Sequence, residues 1–244
     1  MTTLVRIALT LALSIFLTSC GMDIKIGEFG SGVKGNGIVT KDIRPVNEDF
    51  TEISASEGLE VIVTQADVFE ITVEADENII DLIGTDINNN VLKIHAIENI
   101  GNATKKVYVS LPNISELKSS SGANVTAKNT IKSDKLTIDS SSGSLVDVTI
   151  ATDDLTIDAS SGANLKILGE TTHATIDASS GSNVSGKKLA AKFCNAEASS
   201  GANVDINVSE TLHADASSGG NISYSGKAQV NSNKSVSGSV TYND

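Results

Sequence analysis

The sequence predicts an all-β protein: a solenoid of the single-stranded parallel β-helix type, with 19–20 residues per coil. Three observations predict it. A unit Ser-Ser-Gly-(Ala/Ser)-Asn-(Val/Leu) recurs from about residue 114, with its glycines at Gly122, Gly143, Gly162, Gly181, Gly201 and Gly219. The steps between them are 21, 19, 19, 20 and 18 residues, and self-similarity at such a period marks stacked repeats. On both sides of each unit apolar and polar residues alternate at period two, as strands with one buried face do.

The chain of 244 residues opens with MTTLVRIALTLALSIFLTSC. Arg6 is its only charge, and residues 7–17 form an apolar run of the length of a secretory signal, too short to span a bilayer alone. Leu17-Thr18-Ser19-Cys20 resembles the lipobox of bacterial lipoproteins. Residues 1–19 therefore read as a lipoprotein signal peptide, and Cys20 as the lipidated first residue of the mature chain. Several acyl chains on Cys20 would anchor it stably where one is marginal. Residue 21 is Gly rather than Asp, so the inner-membrane retention signal is missing and the outer membrane is the expected location, its leaflet open. Residues 20–37 contain FGSGVKGNG and read as a flexible Gly-rich tether.

Residues 38–113 carry alternating runs at 59–65, 68–75, 91–96 and 106–111, without the Ser-Ser-Gly turns. Phe69, Ile71, Val73 and Ala75 share one face, and 78–84 reads as a helical turn or tight corner. The terminal units of a solenoid are atypical because they cover an exposed sheet end. This segment is therefore expected to form irregular N-terminal capping coils, with a separate small β-sandwich as the alternative. Residues 114–244 are the regular coils, with a degraded seventh unit around Gly238.

Alignment on the repeat glycines sorts the columns. Leu136, Leu155, Ala174, Cys194 and Leu212 stand seven before; Leu117, Ile138, Ile157, Ile176, Ala196 and Ala214 five before; Val125, Val146, Leu165, Val184, Val204 and Ile222 three after. Stacked at the sheet spacing of about 4.8 Å, they become continuous apolar columns in a narrow core. A β-roll or antiparallel array is the alternative packing. A left-handed hexapeptide helix is disfavoured because no six-residue period runs through the chain, leaving a right-handed coil as the expectation.

Two outward columns are candidate sites. Asn124, Asn164, Asn183, Asn203 and Asn221 lie two after the glycine, with Leu145 as the exception. Their amides are expected to ladder along the axis or to accept a left-handed turn backbone, and they form a possible binding face. Asp139, Asp158, Asp177, Glu197 and Asp215 lie four before it and face outward by parity. Stacked carboxylates repel unless screened or bridged, which makes them weak candidates for cation binding, without a defined metal site.

Catalytic chemistry finds no foothold. The net charge is -12, which excludes a nucleic-acid binder. Aromatics are 3% and Trp is absent, so the large anchors of many interfaces are missing. His95, His173 and His213 share no ligand spacing, and Cys194 substitutes for Leu in an inward column, reading as a small buried hydrophobe. A uniform outward carboxylate ladder lacks the two contrasting environments of a glycosidase pair. No cofactor is implied, and the chain is not expected to be an enzyme.

The lipobox, Phe50-Thr51-Glu52-Ile53 through 59–65, Ile71-Thr72-Val73-Glu74-Ala75-Asp76-Glu77-Asn78, Leu92-Lys93-Ile94, Val107-Tyr108-Val109 and the repeated Ser-Gly-Ala-Asn-Val resemble a bacterial lipoprotein family. It is the putative auto-transporter adhesin, head GIN domain family, common in Bacteroidetes, and the similarity covers about residues 40–235. The resemblance implies a pectin-lyase-like β-helix, also reminiscent of hexapeptide acyltransferases, without catalytic residues, and a role in adhesion. Here the repeats read GAN or GSN rather than Gly-Ile-Asn, which makes the surface less apolar. The expected function is thus a lipid-anchored envelope module that binds glycan or another envelope protein. The alternatives are a structural spacer and a degenerate polysaccharide-active enzyme. Expected partners are membrane lipid through Cys20 and, through the solenoid ends, a second copy.

Overall fold

The structure is a computed structural model and describes residues 32–235 and 237–243; the signal, the lipobox and Cys20 lie outside the described residues. The capping segment contains β1 (Val39–Arg44), β2 (Glu52–Ala55), β3 (Glu60–Gln65), β4 (Glu70–Asp76), a 3₁₀ turn at Ile80–Leu82, β5 (Ile83–Asn88), β6 (Val91–Ala96) and β7 (Lys105–Leu111). The repeats follow as β8 (Glu116–Ser119), β9 (Asn124–Ala127), β10 (Ile131–Ser140), β11 (Leu145–Ala159), β12 (Asn164–Ala178), β13 (Asn183–Ala198) and β14 (Asn203–Ala216). The last three strands are β15 (Asn221–Ser225), β16 (Gln229–Lys234) and β17 (Ser239–Tyr242).

The repeats build a β-solenoid whose coils pair in parallel, and equivalent residues meet. Leu117 pairs with Ile138, Ile138 with Ile157, Ile157 with Ile176 and Ile176 with Ala196. Val125, Val146, Leu165, Val184, Val204 and Ile222 form a second continuous column. All of these side chains are buried. The columns exist because a strand places alternate side chains on one face, and only stacking on another coil removes that face from water.

The strands are longer than the sequence suggests. Period-two runs on both sides of each turn suggest short separate strands, but β11 to β14 run unbroken for 14–16 residues and bend without stopping. In β11 the inward residues are 146, 148, 150 and 152, then 155, 157 and 159. The two consecutive outward residues Asp153 and Asp154 shift the phase and mark the bend. At the bend, Thr152 Oγ1 donates to the carbonyls of Asp134 and Asp154, and Thr171 Oγ1 to those of Asp153 and His173.

The Ser-Ser-Gly units close each coil. The second serine and the glycine both have positive φ, 49–53° and 71–79°, and the next residue's N–H returns to the first serine's carbonyl, as in Ala163 to Ser160 at 3.0 Å. This is the mirror-image tight turn that needs two left-handed residues. A Cβ on Gly122, Gly143, Gly162, Gly181 or Gly201 would meet nothing within 4 Å, so backbone conformation, not close packing, selects glycine there. The left-handed residue expected at asparagine falls instead on serine; the asparagines open strands. Coils also link at the turn: Gly162 N–H donates to Ser180 O at 3.1 Å in the next coil.

The capping segment departs from a purely parallel helix. β1 pairs antiparallel with β4, β4 with β7, and β5 with β6. Its coils are also laid out of sequence order: β2 and β3 sit between β6–β7 on one side and β8–β9 on the other. The β2–β3 coil, though earlier in the sequence than both its neighbours, is thus internal, covered on one side by β6–β7 and extended on the other by the repeats. That coil does carry the repeat turn, as Ser56-Glu57-Gly58, with φ of 61° and 68°. Ile53 and Val61 accordingly enter the core columns opposite Leu117 and Val125. Phe50 fills the cap, fully buried and 5.3 Å from the Phe69 ring. At the other end Ser239 pairs with Asn221, so Gly238 stands beside Gly220 rather than in the column of the repeat glycines.

Candidate functional site

Asn164, Asn183, Asn203 and Asn221 stand in one column, with Leu145 between Asn124 and Asn164. Each opens a strand because the turn before it ends there. Only one amide-to-amide bond links the column among the described residues, Asn221 Nδ2 to Asn203 Oδ1 at 3.2 Å. Asn164 and Asn221 instead donate to the carbonyls of Gly162 and Gly219 at 3.0 and 3.1 Å. Two of the amides are therefore held by the turns, and exposed Leu145 breaks the column.

Asp139, Asp158, Asp177, Glu197 and Asp215 also stack in register, between Lys118 and Asn233. Burial of the carboxyl raises the Asp158 pKa above 3.8, and the flanking Asp139 and Asp177 push it the same way. Lys118 is tied to Glu116 at 3.0 Å, and that bond raises its own pKa. Among the described residues no three or more His, Cys, Asp or Glu converge on a metal-sized site.

The histidines are engaged singly. His95 Nε2 lies 2.7 Å from Asp86, its ring lying over Gly84, where a Cβ would come within 2.6 Å. His173 Nδ1 is 3.2 Å from Asp154 and stacks on Phe193 with ring centroids 5.4 Å apart. Cys194 is buried, and burial pushes its thiol up to about 12. A thiol with so little thiolate at neutral pH is no nucleophile.

Sequence reasoning missed a groove of about 940 Å³ along the bend between the two halves of each coil. It is lined from Thr51 through Ser115, Ser133, Thr152, Thr171 and Ala191 to Ser209. Lys132, Lys135 and Lys192 share its walls with Asp134, Asp153 and Glu170. Ala151 and Ala190 keep it open. Two consecutive outward residues in each coil were the available signal. A second hollow of about 720 Å³ lies over the acid column beside His213.

The fold and these surfaces define a β-solenoid that presents repeated polar columns, with no converging catalytic group among the described residues. Its fold class is that of the β-solenoids. The chain belongs to the family described as putative auto-transporter adhesin, head GIN domain, which matches residues 49–240. Among solved structures it is similar to a putative adhesin from Bacteroides fragilis, with a TM-score of 0.80, 19% identity, and coverage of 87% of this chain and 100% of that one. It is similar also to a putative adhesin from Parabacteroides merdae (TM-score 0.66, 22% identity, 87% and 99% covered). A third structure, a putative lipid binding protein from Parabacteroides distasonis, gives a TM-score of 0.69 at 18% identity, with 87% and 99% covered. No curated relative matches the chain.

Proposed function

We propose that the protein is a lipid-anchored cell-envelope adhesion module that holds an extended partner, glycan or envelope protein, and performs no chemistry. The observation that carries this is the in-register stacking of outward side chains on a rigid solenoid. Repeated identical contacts along an axis add up when one long partner engages several of them. Family membership and the description of the similar Bacteroides and Parabacteroides proteins as putative adhesins support the same reading.

Anchoring rests on the lipobox around Cys20, with residues 1–19 as the cleaved signal. Val33 N–H donates to Asn99 O at 2.8 Å and Gly35 N–H to Asn102 O at 3.1 Å. The tether role for 20–37 therefore falls to the part before residue 32. In this reading 38–113 forms the capping coils, 114–244 the binding coils, and the coil is right-handed and pectin-lyase-like. The outer membrane is the destination, and no helix among the described residues is long and apolar enough to cross a membrane. The Asn column is one candidate face, and the acid column is a diffuse counter-ion surface.

Protease shaving of intact cells tests the exposed-adhesin reading. Digestion at the surface supports it; full protection contradicts it. A glycan array with a pull-down from envelope extract tests binding, and no ligand under either condition leaves a structural spacer.

A further inference from the structure

The bend groove has features that the Asn column lacks. Its lining spans seven coil levels, from Thr51 through Ser115, Ser133, Thr152, Thr171 and Ala191 to Ser209. At about 4.8 Å per coil its length is about 29 Å. Its floor is small: Ala151 and Ala190 project little, and the Thr152 and Thr171 hydroxyls are used by the bend carbonyls, while Ser133 Oγ has no hydrogen-bond partner among the described residues.

Its walls are charged but locally balanced, three lysines against three carboxylates, within a chain of net charge -12. Among the described residues, none of Lys132, Lys135, Lys192, Asp134, Asp153 and Glu170 makes an ion pair within 4.0 Å. Six charged groups thus line a concave channel with their hydrogen-bonding capacity uncommitted, and Lys donates while carboxylates accept.

A further observation lies on the rim. Phe193 follows Lys192 in the chain and is 41% exposed, while Phe50 is fully buried and Phe69 packs against the core. Its column is that of Lys135, Asp154 and His173 by register, and Lys135 of that column lines the groove. The ring stacks on His173 on one side, and its exposed remainder beside the channel offers an apolar surface that hydroxyl-rich ligands can pack against.

We propose that this groove, rather than the Asn column, holds a single chain of a linear, uncharged polysaccharide; this rests on the binding reading above. Balanced walls give neither a polyanion nor a polycation a net electrostatic gain, so a charged chain loses its usual advantage over a neutral one here. Uncommitted donors and acceptors match sugar hydroxyls, which both donate and accept. The coil spacing is close to the advance of one residue in an extended pyranose chain, so successive sugars meet successive coils. A peptide strand has less to gain here, because the backbone groups of β10 to β14 are paired between coils.

The test uses the full chain against β-glucan, xylan and mannan as neutral probes, polygalacturonate as polyanion and chitosan as polycation, with an envelope pull-down alongside. The variants are Ala151→Arg with Ala190→Arg to fill the groove, Phe193→Ala on the rim, and Asn164→Ala with Asn183→Ala as control. The result expected is binding of a neutral probe, a loss of roughly tenfold or more in affinity on filling the groove or truncating Phe193, no change in the Asn control, and intact melting curves. Binding of charged probes only, or neutral binding that survives groove filling, overturns the inference. A pull-down partner lost in the Asn control, with no neutral probe bound, overturns the groove and keeps the binding reading. No ligand of any kind overturns both.

Discussion

Replacing Ile157 by alanine removes three carbons from the middle of the inner column. The side chain is 0% exposed and lies in register between Ile138 and Ile176, both at most 1% exposed. Parallel coils hold its backbone from both sides, so the site cannot collapse readily, and Ile→Ala in such a setting costs about 2–5 kcal/mol. For a domain of this size about 1 kcal/mol moves the melting temperature by roughly 2–4 °C, so the expected drop is roughly 5–20 °C. Asp158→Asn, one residue further on, is the internal comparison. It faces outward, and removing its charge relieves its repulsion with Asp139 and Asp177, so stability should stay level or rise slightly. Thermal unfolding followed by far-UV circular dichroism reads both midpoints. Equal destabilisation by the two changes, or a harmless Ile157→Ala, would refute the assignment of inward and outward columns.

Further outcomes follow from the same geometry. Gly162→Ala should cost about 1–2 kcal/mol, the left-handed backbone penalty alone, whereas Gly169→Ala should cost more, because its Cβ would come within 1.9 Å of the Ile150 carbonyl. Asp158 has a folded-state pKa above its unfolded value, so its contribution to stability is fully present below pH 3.8 and is lost as pH rises through the raised value. Asp158→Asn should therefore flatten that part of the stability–pH curve. Cys194 should stay unreactive to a thiol reagent in the native protein and react at once in urea, since its folded pKa is about 12. Calcium should raise the melting temperature only as far as a monovalent salt of equal ionic strength does, if the acid column is a diffuse counter-ion surface; no rise removes cation binding.

The inner columns were legible because strand parity and a near-constant repeat length leave one register that buries Ile138, Ile157 and Ile176 together. The outward direction of Asp158 and the burial of Cys194 follow from the same parity. The Ser56-Glu57-Gly58 turn was hidden because one repeat serine is replaced by Glu57, although Gly58 and the following Leu-Glu-Val keep the pattern. The out-of-order coils of the cap were not legible, because parallel pairing leaves no turn in the sequence to fix which coil lies beside which. β5 and β6 are different: Asn89 and Asn90, at φ of 50° and 70°, join them as a tight hairpin of the kind that sequence can signal. The groove was missed because the doubled outward residues that mark the bend, such as Asp153 and Asp154, read in a single coil as the end of a strand.

In-register stacking is tested most directly by spin-label distances along one outward column. Thr137, Thr156, Thr175, Asn195 and His213 are successive partners. With one label fixed at Thr137 and the second moved to Thr175, Asn195 and His213, backbone separations should rise evenly, about 10, 14 and 19 Å. Separations that fail to grow with coil number, or that shorten at His213, would contradict the solenoid and the binding surfaces built on it.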